Sequence, residues 1–255
     1  MGSAVLTGGS ILSGIILGQV LVPELAGHYM HLGTYSRAAA SSSLTHGHLQ
    51  GTTEPLASLT FDDGPDPRFT PPLLERLAEL SVPATFFMVG QRALRFPQVA
   101  QAVVDAGHDV GNHTWSHRRA WGLTPAATWR EVTAGARAIA DVTGSWPRWL
   151  RPPWGAFNPV LWQVARAVNE RIVLWSAVGS DWEARATPSS IVRRVNQGRR
   201  PGVIILLHDA GGAPAAPLQT IAALPDLVTA FHGAGYRFVT LRTLLDGVDP
   251  EEERR

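Results

Sequence analysis

From Pro55 onward, short runs rich in β-branched and aromatic residues alternate with longer stretches whose apolar positions recur at helical spacing. The runs predict strands at 57–61, 84–89, 108–111, 149–151, 172–176, 203–207 and 237–240. Helices are predicted between them, near 71–81, 91–106, 125–142, 158–169, 188–198 and 217–233. Pro125, Pro159 and Pro188 suit the first turns of their helices, where a missing N–H costs nothing. Val203-Ile204-Ile205-Leu206-Leu207 is apolar at every position, the mark of a strand covered on both faces. Strand-then-helix repeated this often implies a parallel α/β fold, either an open doubly wound sheet or a barrel of TIM type. No repeat of fixed period is present, which excludes a solenoid.

Both architectures put a binding site at the carboxyl ends of the strands. Concentrated polar clusters fall there. Asp62-Asp63-Gly64-Pro65 follows the first strand and Asn112-His113 the third. Arg151-Pro152-Pro153-Trp154-Gly155 follows the fourth, Asp181-Trp182 the fifth and His208-Asp209 the sixth. Ordinary loops would scatter Gly, Asn and Ser, so these clusters predict one convergent site. Asp before Gly is also a plain turn former. On a strand Asp62 and Asp63 point to opposite sides, but the turn can swing both towards one cavity. His113 and His117, spaced i and i+4, share a face on a helical turn. A lone pair of this kind is usually coincidence. With one carboxylate it becomes a three-ligand set that leaves positions open for water and substrate.

Composition narrows the chemistry. The 255 residues, 45% of them hydrophobic, suffice for one large domain or two small ones with a buried core. There is no cysteine, and all 22 basic residues are arginine, so the chain has no lysine. That excludes disulfides, thiolate metal sites, cysteine nucleophiles, Schiff-base chemistry and a phosphate-loop NTPase. A net charge of +1 gives no reason to expect nucleic acid as a partner. Without thiolate, Zn2+ is the first choice for a set of two His and one Asp, with Co2+, Ni2+ and Fe2+ as alternatives. Cysteine absence leaves the compartment open.

The first charged side chain is Glu24, and residues 4–22 are mostly apolar or Gly. This run is marginal for a membrane span and has no basic residues ahead of it. It is read as a membrane anchor or export segment, with a buried or unstructured helix as the alternative. The domain plan is therefore an apolar segment at 1–31, a linker at 32–54, a catalytic domain at 55–246 and a charged tail at 247–255.

Five segments carry a resemblance. Thr60-Phe61-Asp62-Asp63-Gly64-Pro65, His113-Thr114-Trp115-Ser116-His117, Arg151-Pro152-Pro153-Trp154-Gly155, Asp181-Trp182 and Leu206-Leu207-His208 resemble, in order, the five motifs of the polysaccharide deacetylases, carbohydrate esterase family 4. The resemblance implies a distorted, TIM-like (β/α) barrel of about seven parallel strands. It implies a metal-dependent hydrolase that removes N-acetyl groups from N-acetylglucosamine-type residues of a cell-wall or other glycan, such as peptidoglycan or chitin oligomers. Carried over by position, Asp63, His113 and His117 resemble the metal ligands, and Asp62 the base acting on metal-activated water. His208 resembles the acid that protonates the leaving amine, Asp181 its carboxylate partner, and Arg151 the residue that orients Asp62. The main chain near Trp154 would donate an N–H to the oxyanion. Trp154, Trp182, Leu206 and Pro153 are assigned to substrate binding, with Trp121 a further candidate. Trp129, Trp146, Trp149, Trp162 and Trp175 are assigned to the core. His108, His232 and His28, His31, His46 and His48 are read as structural or exposed.

The chain departs from the family pattern at three places. Arg118-Arg119-Ala120-Trp121 follows the second ligand His, where Pro is common. No acid precedes Asp181-Trp182, and Trp154 stands where Tyr is usual. These differences bear on the substrate more than on the reaction. An O-acetyl esterase, a small-amide hydrolase and a non-catalytic glycan-binding protein are the alternatives. An extracytoplasmic location follows from the implied substrate, and oligomeric state is not predicted.

Overall fold

The structure, a computed structural model, describes residues 43–44 and 54–246. The apolar run 4–22, most of the 32–54 stretch and the tail 247–255 lie outside the described residues. The first half of the fold comprises β1 (Ser43–Leu44), β2 (Leu56–Asp62), α1 (Thr70–Glu79), β3 (Ala84–Met88), α2 (Gly90–Arg95), α3 (Pro97–Asp105), β4 (Asp109–Asn112) and α4 (Pro125–Thr143). It continues with β5 (Trp149–Leu150), α5 (Leu161–Ala167), β6 (Arg171–Val173), β7 (Ala177–Val178) and α6 (Pro188–Gln197). β8 (Val203–His208), α7 (Ala216–His232), β9 (Arg237–Phe238) and α8 (Leu241–Asp246) complete it.

The strands form one sheet in the order β1-β6-β5-β4-β3-β2-β8-β7, with β9 pairing the start of β2. Every pairing is parallel. Successive strands β6 and β7 stand near opposite ends of this order, yet only Leu174, Trp175 and Ser176 join them. Four Cα steps reach about 14 Å at most, so the sheet must curl until its ends nearly meet. That curl makes a distorted, incompletely closed (β/α) barrel. It also corrects the predicted strand at 172–176. The strand stops at Val173, paired with β5 and β1, and pairing with β8 resumes only beyond the predicted run, at Ala177–Val178.

The remaining pattern follows the expected positions. Phe96-Pro97 breaks the predicted 91–106 helix into α2 and α3, because Pro97 cannot donate to the preceding turn. Pro125 and Pro188 sit in the first turns of α4 and α6, behind Thr124 and Thr187, whose hydroxyls accept from the third helical N–H. Pro159 instead lies in a turn, and α5 starts two residues later. Ser43–Leu44, inside the predicted linker, adds a strand beside β6.

β2 and β3 are buried along their whole length. Their alternate residues separate two environments. Leu59, Phe61, Phe86, Ile205 and Leu207 pack with the surrounding helices. Phe87, Trp149, Val173 and Ile204 form a second cluster, with Leu241 and Leu244 of α8. Trp149 is fully buried as expected, but Trp129 and Trp146 are 46% and 45% exposed and are not core residues. Trp129 is on the outer side of α4, and Trp146 lies in the loop that joins α4 to β5. His108 is a structural residue, accepting from the Ala84 N–H at 3.2 Å, with burial pulling its pKa down to about 4.

Candidate active site

The period of two that puts Leu59 and Phe61 against helices puts Thr60 and Asp62 on the other face of β2. Arg151, one step past β5, reaches both from across the barrel interior. Its Nη1 donates to Asp62 Oδ1 and to Thr60 Oγ1, each at 2.7 Å. Its Nε and Nη2 donate to the carbonyls of Val173 and Leu174, at 3.2 and 2.9 Å. Those carbonyls lie where β6 gives way to the seam, so one guanidinium supplies donors that a neighbouring strand would otherwise supply. Arg151 is fully buried and lies 4.0 Å from the centre of the Phe87 ring. Burial depresses its pKa, and the Asp62 carboxylate works against that shift.

Asp62 ends β2 in extended form, whereas Asp63 has φ +78°. This left-handed residue turns the second carboxylate towards the same cavity as the first. The two imidazoles converge by a different route from the one expected. Residues 113–117 form no helical turn. Thr114 and His117 instead take φ values of +67° and +56°, and the bent loop brings both rings together. Asp63, Thr114, His117 and Trp154 all carry positive φ, so backbone strain of about 1–3 kcal/mol per residue collects at this site. The loop is tied down along its length. The Gly90 and Gln91 N–H groups donate to the Thr114 and Trp115 carbonyls, and Glu131 accepts from both the N–H and the hydroxyl of Ser116.

His117 Nε2 is 2.9 Å and His113 Nε2 3.4 Å from Asp63 Oδ1. One ligand atom from each of Asp63, His113 and His117 lies within 4.8 Å of the others. His113 Nδ1 donates to the Arg151 carbonyl at 2.7 Å, which fixes the ring's orientation and turns Nε2 towards Asp63. Burial alone would raise the Asp63 pKa, but hydrogen bonds from His113 and His117 hold it well below the ordinary range. The donor set fits a divalent cation: one anionic oxygen and two imidazole nitrogens converging on a point that faces the cleft. A side chain at Gly211, itself at φ +70°, would run into Asp63 Oδ2, so this position needs glycine.

Asp62 and His208 are register partners on adjacent strands. His208 Nδ1 donates to Asp181 Oδ1 at 2.9 Å. Asp181 Oδ2 accepts from the His208 N–H at 2.8 Å and from Thr220 Oγ1 at 2.6 Å, which locks the pair. Burial disfavours the charged imidazole, yet Asp181 first, then Asp63 and Asp62, lift the His208 pKa to about 9. A divalent cation at Asp63 would cancel part of the last two contributions and leave the Asp181 contact.

These groups open onto a cleft of about 810 Å³ that is also lined by Trp154, Trp182, Leu206, Trp121, Trp175, Arg92 and Arg119. Of the predicted substrate contacts, Trp154 and Trp182 are 50% and 39% exposed, and Leu206 is on the wall. Pro153 is buried behind Trp154 and does not line the cleft. Trp154 packs against His117 with centroids 4.3 Å apart and ring planes tilted by 47°, while the Arg119 guanidinium lies 4.7 Å from its ring. Trp175, expected in the core, packs against the second cluster and lines the cleft as well, beside Arg92 and Arg119, which the sequence did not mark as site residues. Trp175 follows a β run and becomes accessible only because that run breaks at the seam.

Glu170 and Asn112 support the ligand loop from below. Asn112 Nδ2 donates to the Glu170 carboxyl at 3.0 and 3.1 Å and to the Val132 carbonyl at 3.0 Å, while its Oδ1 accepts from the Thr114 N–H at 2.9 Å. Burial raises the Glu170 pKa well above the ordinary value, the Asn112 hydrogen bond opposing it. A raised carboxyl pKa contributes stability at low pH that is lost as pH rises through the folded value. Glu170→Gln is therefore expected to raise Tm at pH 8 by a few degrees, about 2–4 °C per kcal/mol in a domain of this size. Thermal unfolding against pH should show the advantage disappear towards pH 4.

The sequence profile named Polysaccharide deacetylase matches residues 50–173. A curated relative, a peptidoglycan-N-acetylglucosamine deacetylase of Bacillus cereus, is 36% identical over 194 residues, covering 75% of this chain and 89% of the relative. The chain belongs to the polysaccharide deacetylase family. A chitooligosaccharide deacetylase of Sinorhizobium fredii is 38% identical over 196 residues, covering 73% of this chain and 90% of the relative. A crystal structure of a peptidoglycan N-acetylglucosamine deacetylase bound to a naphthalenyl N-oxidanyl-benzamide superposes with a TM-score of 0.76 at 29% identity. It covers 84% of this chain and 98% of that one. The family fold is thus present.

Proposed function

We propose that this protein hydrolyses the N-acetyl group of N-acetylglucosamine-type residues in a bacterial cell-wall glycan, outside the cytoplasm. The observation that carries this reading is the placing of two differently supported proton-transfer groups. Asp62 on Arg151 and His208 on Asp181 flank the Asp63-His113-His117 set in one open, indole-lined cleft. The relatives' peptidoglycan and chitooligosaccharide substrates support the glycan class. Residues 55–246 are the catalytic unit, and residues 4–22 are an anchor or export segment. Among the described residues no helix is long and apolar enough to cross a membrane.

A divalent cation held by Asp63, His113 and His117, for which Zn2+ is our choice, would acidify a water and polarise the acetamide carbonyl. Asp62 Oδ1 is held by Arg151, while Oδ2 faces His113 Nε2 at 3.7 Å, so Oδ2 is the atom placed to take the proton of that water. The water oxygen then bonds to the acetyl carbon. On the opposite side the His208 Nε2–H protonates the sugar nitrogen as the C–N bond breaks, giving acetate and a free amine. Asp181, bonded at Nδ1, holds the ring so that Nε2 faces the cleft. The Gly155 and Ala156 N–H groups are committed to the Pro152 and Pro153 carbonyls, which narrows an oxyanion donor from this turn to the Trp154 N–H. Trp154, Trp182 and Leu206 would hold the sugar and acetyl methyl by apolar contact.

A screen for acetate release over N-acetylglucosamine oligomers and acetylated xylan tests the reading in the metal-reconstituted protein. Release from the oligomers is expected. Release confined to xylan would transfer the assignment to an O-acetyl esterase, and release from neither would leave a glycan-binding role. The same assay reads the acid. With Asp181 lifting the His208 pKa and a cation offsetting part of the Asp63 and Asp62 contributions, kcat/KM should decline on the alkaline side between the ordinary imidazole value of about 6.5 and about 9. Asp181→Asn removes the paired charge, so that limb should shift towards the ordinary imidazole value of about 6.5. An unmoved limb would remove Asp181 from the role of partner. The stability linkage has the same sign: the contribution of this pair is complete below about pH 6.5 and is lost as pH rises through about 9.

A further inference from the structure

A second concavity, about 790 Å³, lies along the outer face of α4. Trp115 and Arg118 of the ligand loop form one wall, and Arg130, Arg137 and Asp141 of α4 another, with Trp146 beside them. Arg118, Arg130 and Arg137 are exposed, and none of their side chains has a hydrogen bond, ion pair or ring contact among the described residues. Elsewhere on the surface Arg76, Arg171, Arg194 and Arg237 hold carboxylates, while Arg166, Arg193 and Arg200 stand apart and without a partner among the described residues, so the groove is distinguished by three such guanidiniums converging on one concavity. The Glu131 carboxylate in the groove is consumed by Ser116, which leaves Asp141 as its free acid against three free guanidiniums.

From this we infer that the groove is a second binding site, for a polysaccharide strand that carries carboxylates on its sugar repeat. The chemistry of both parts points there. A guanidinium fork takes a carboxylate through two parallel hydrogen bonds. Trp146, 45% exposed with its Nε1 engaged by the Val168 carbonyl, offers an indole face for a pyranose ring. Arg130 and Arg137 stand two helical turns apart, about 10.5 Å along the axis, so they meet separate repeats of a polymer and not one small anion. The same loop serves both clefts. His117 and Arg119 line the catalytic cleft, while Trp115 and Arg118 line this groove. A strand seated here is tethered beside the catalytic cleft, which raises its effective concentration there without touching the reacting atoms. The inference takes its glycan partner from the proposed function but stands on different residues.

The test uses peptide-free glycan strands containing N-acetylmuramic acid, the same strands with carboxyls reduced to alcohols, and a neutral N-acetylglucosamine hexamer. Calorimetry should give roughly tenfold tighter binding of the carboxylated strand than of the reduced one, a difference that Arg130→Ala/Arg137→Ala abolishes. In turnover the double variant should raise KM for the carboxylated strand, leave its kcat unchanged, and leave hexamer kinetics unchanged. Equal binding of carboxylated and reduced strands, or unchanged binding by the double variant, overturns the inference. Equally tight binding of a sugar-free poly(glycerol phosphate) overturns the assignment to a glycan. Selective binding without acetate release from any substrate would uphold the groove and defeat the deacetylase reading, so the two fail separately.

Discussion

Asp62→Asn is expected to lower kcat/KM by about 10²- to 10⁴-fold, the usual contribution of a positioned base, while the protein still takes up one equivalent of Zn2+ or Co2+. The substitution preserves shape and keeps an acceptor for Arg151 Nη1, so the buried guanidinium holds its place. It removes the lone pair that would receive the proton. Asp63, His113 and His117 are untouched, which is why metal uptake and turnover should separate. Stability should also fall, because Asp62 is the carboxylate paired with fully buried Arg151. Acetate release and metal titration on the same preparation decide the matter. Substantial activity with metal retained would show that another group takes the proton. Loss of metal along with activity would place Asp62 among the ligands.

Arg151→Met should have the largest effect on folding. The side chain makes four hydrogen bonds that join the end of β2 to the seam after β6. Methionine fills the volume beside Phe87 but leaves the Asp62 carboxylate buried without its counter-charge and two seam carbonyls without donors. Breaking a buried pair from one side costs about 3–5 kcal/mol. Activity should be lost with it, since Asp62 loses both partner and orientation. Arg151→Lys separates the two roles. An ammonium restores charge but cannot span four acceptors arranged as a planar fork. It should therefore recover part of the denaturation midpoint while kcat stays low. Full recovery of kcat by lysine would mean that charge alone is required. A Tm equal to wild type in Arg151→Met would mean that the seam does not depend on this residue.

The strand ends that carry chemistry were legible because they break the local pattern. An apolar run such as Val203–Leu207 predicts a doubly covered strand, and His208-Asp209 at its end cannot belong to that core. The same contrast marked Asp62-Asp63 after β2 and Arg151 after β5. Less legible was anything that depends on how distant segments meet. The 172–176 run is a good strand by composition, and nothing local says that it leaves one side of a barrel and joins the other. For that reason Trp175 reaches the cleft as well as the core. The i,i+4 spacing of His113 and His117 suggested a helical turn, whereas two left-handed residues and the Glu131 anchor impose a bent loop. Arg118 and Arg119, adjacent in sequence, serve opposite clefts because the loop between those clefts is one strand of chain thick.

By itself, then, the sequence determined a parallel α/β fold and excluded thiolate and amine chemistry. It also marked His113 and His117 as a candidate ligand pair, to which the motif resemblance added Asp63. The fold class and the exclusions follow from residue type and short-range periodicity, which act within a few residues. The tertiary structure decided which carboxylate faces Arg151 and which faces the imidazoles. It brought His208 beside Asp62 through the β2–β8 pairing, 146 positions apart, and tied the open seam to β2 with a buried guanidinium. Among the described residues it also left Arg118 of the ligand loop and Arg130 and Arg137 of α4 without a partner around one groove. Those outcomes depend on packing between distant segments and on a dielectric set by burial. Neither is a property of any stretch of sequence read alone.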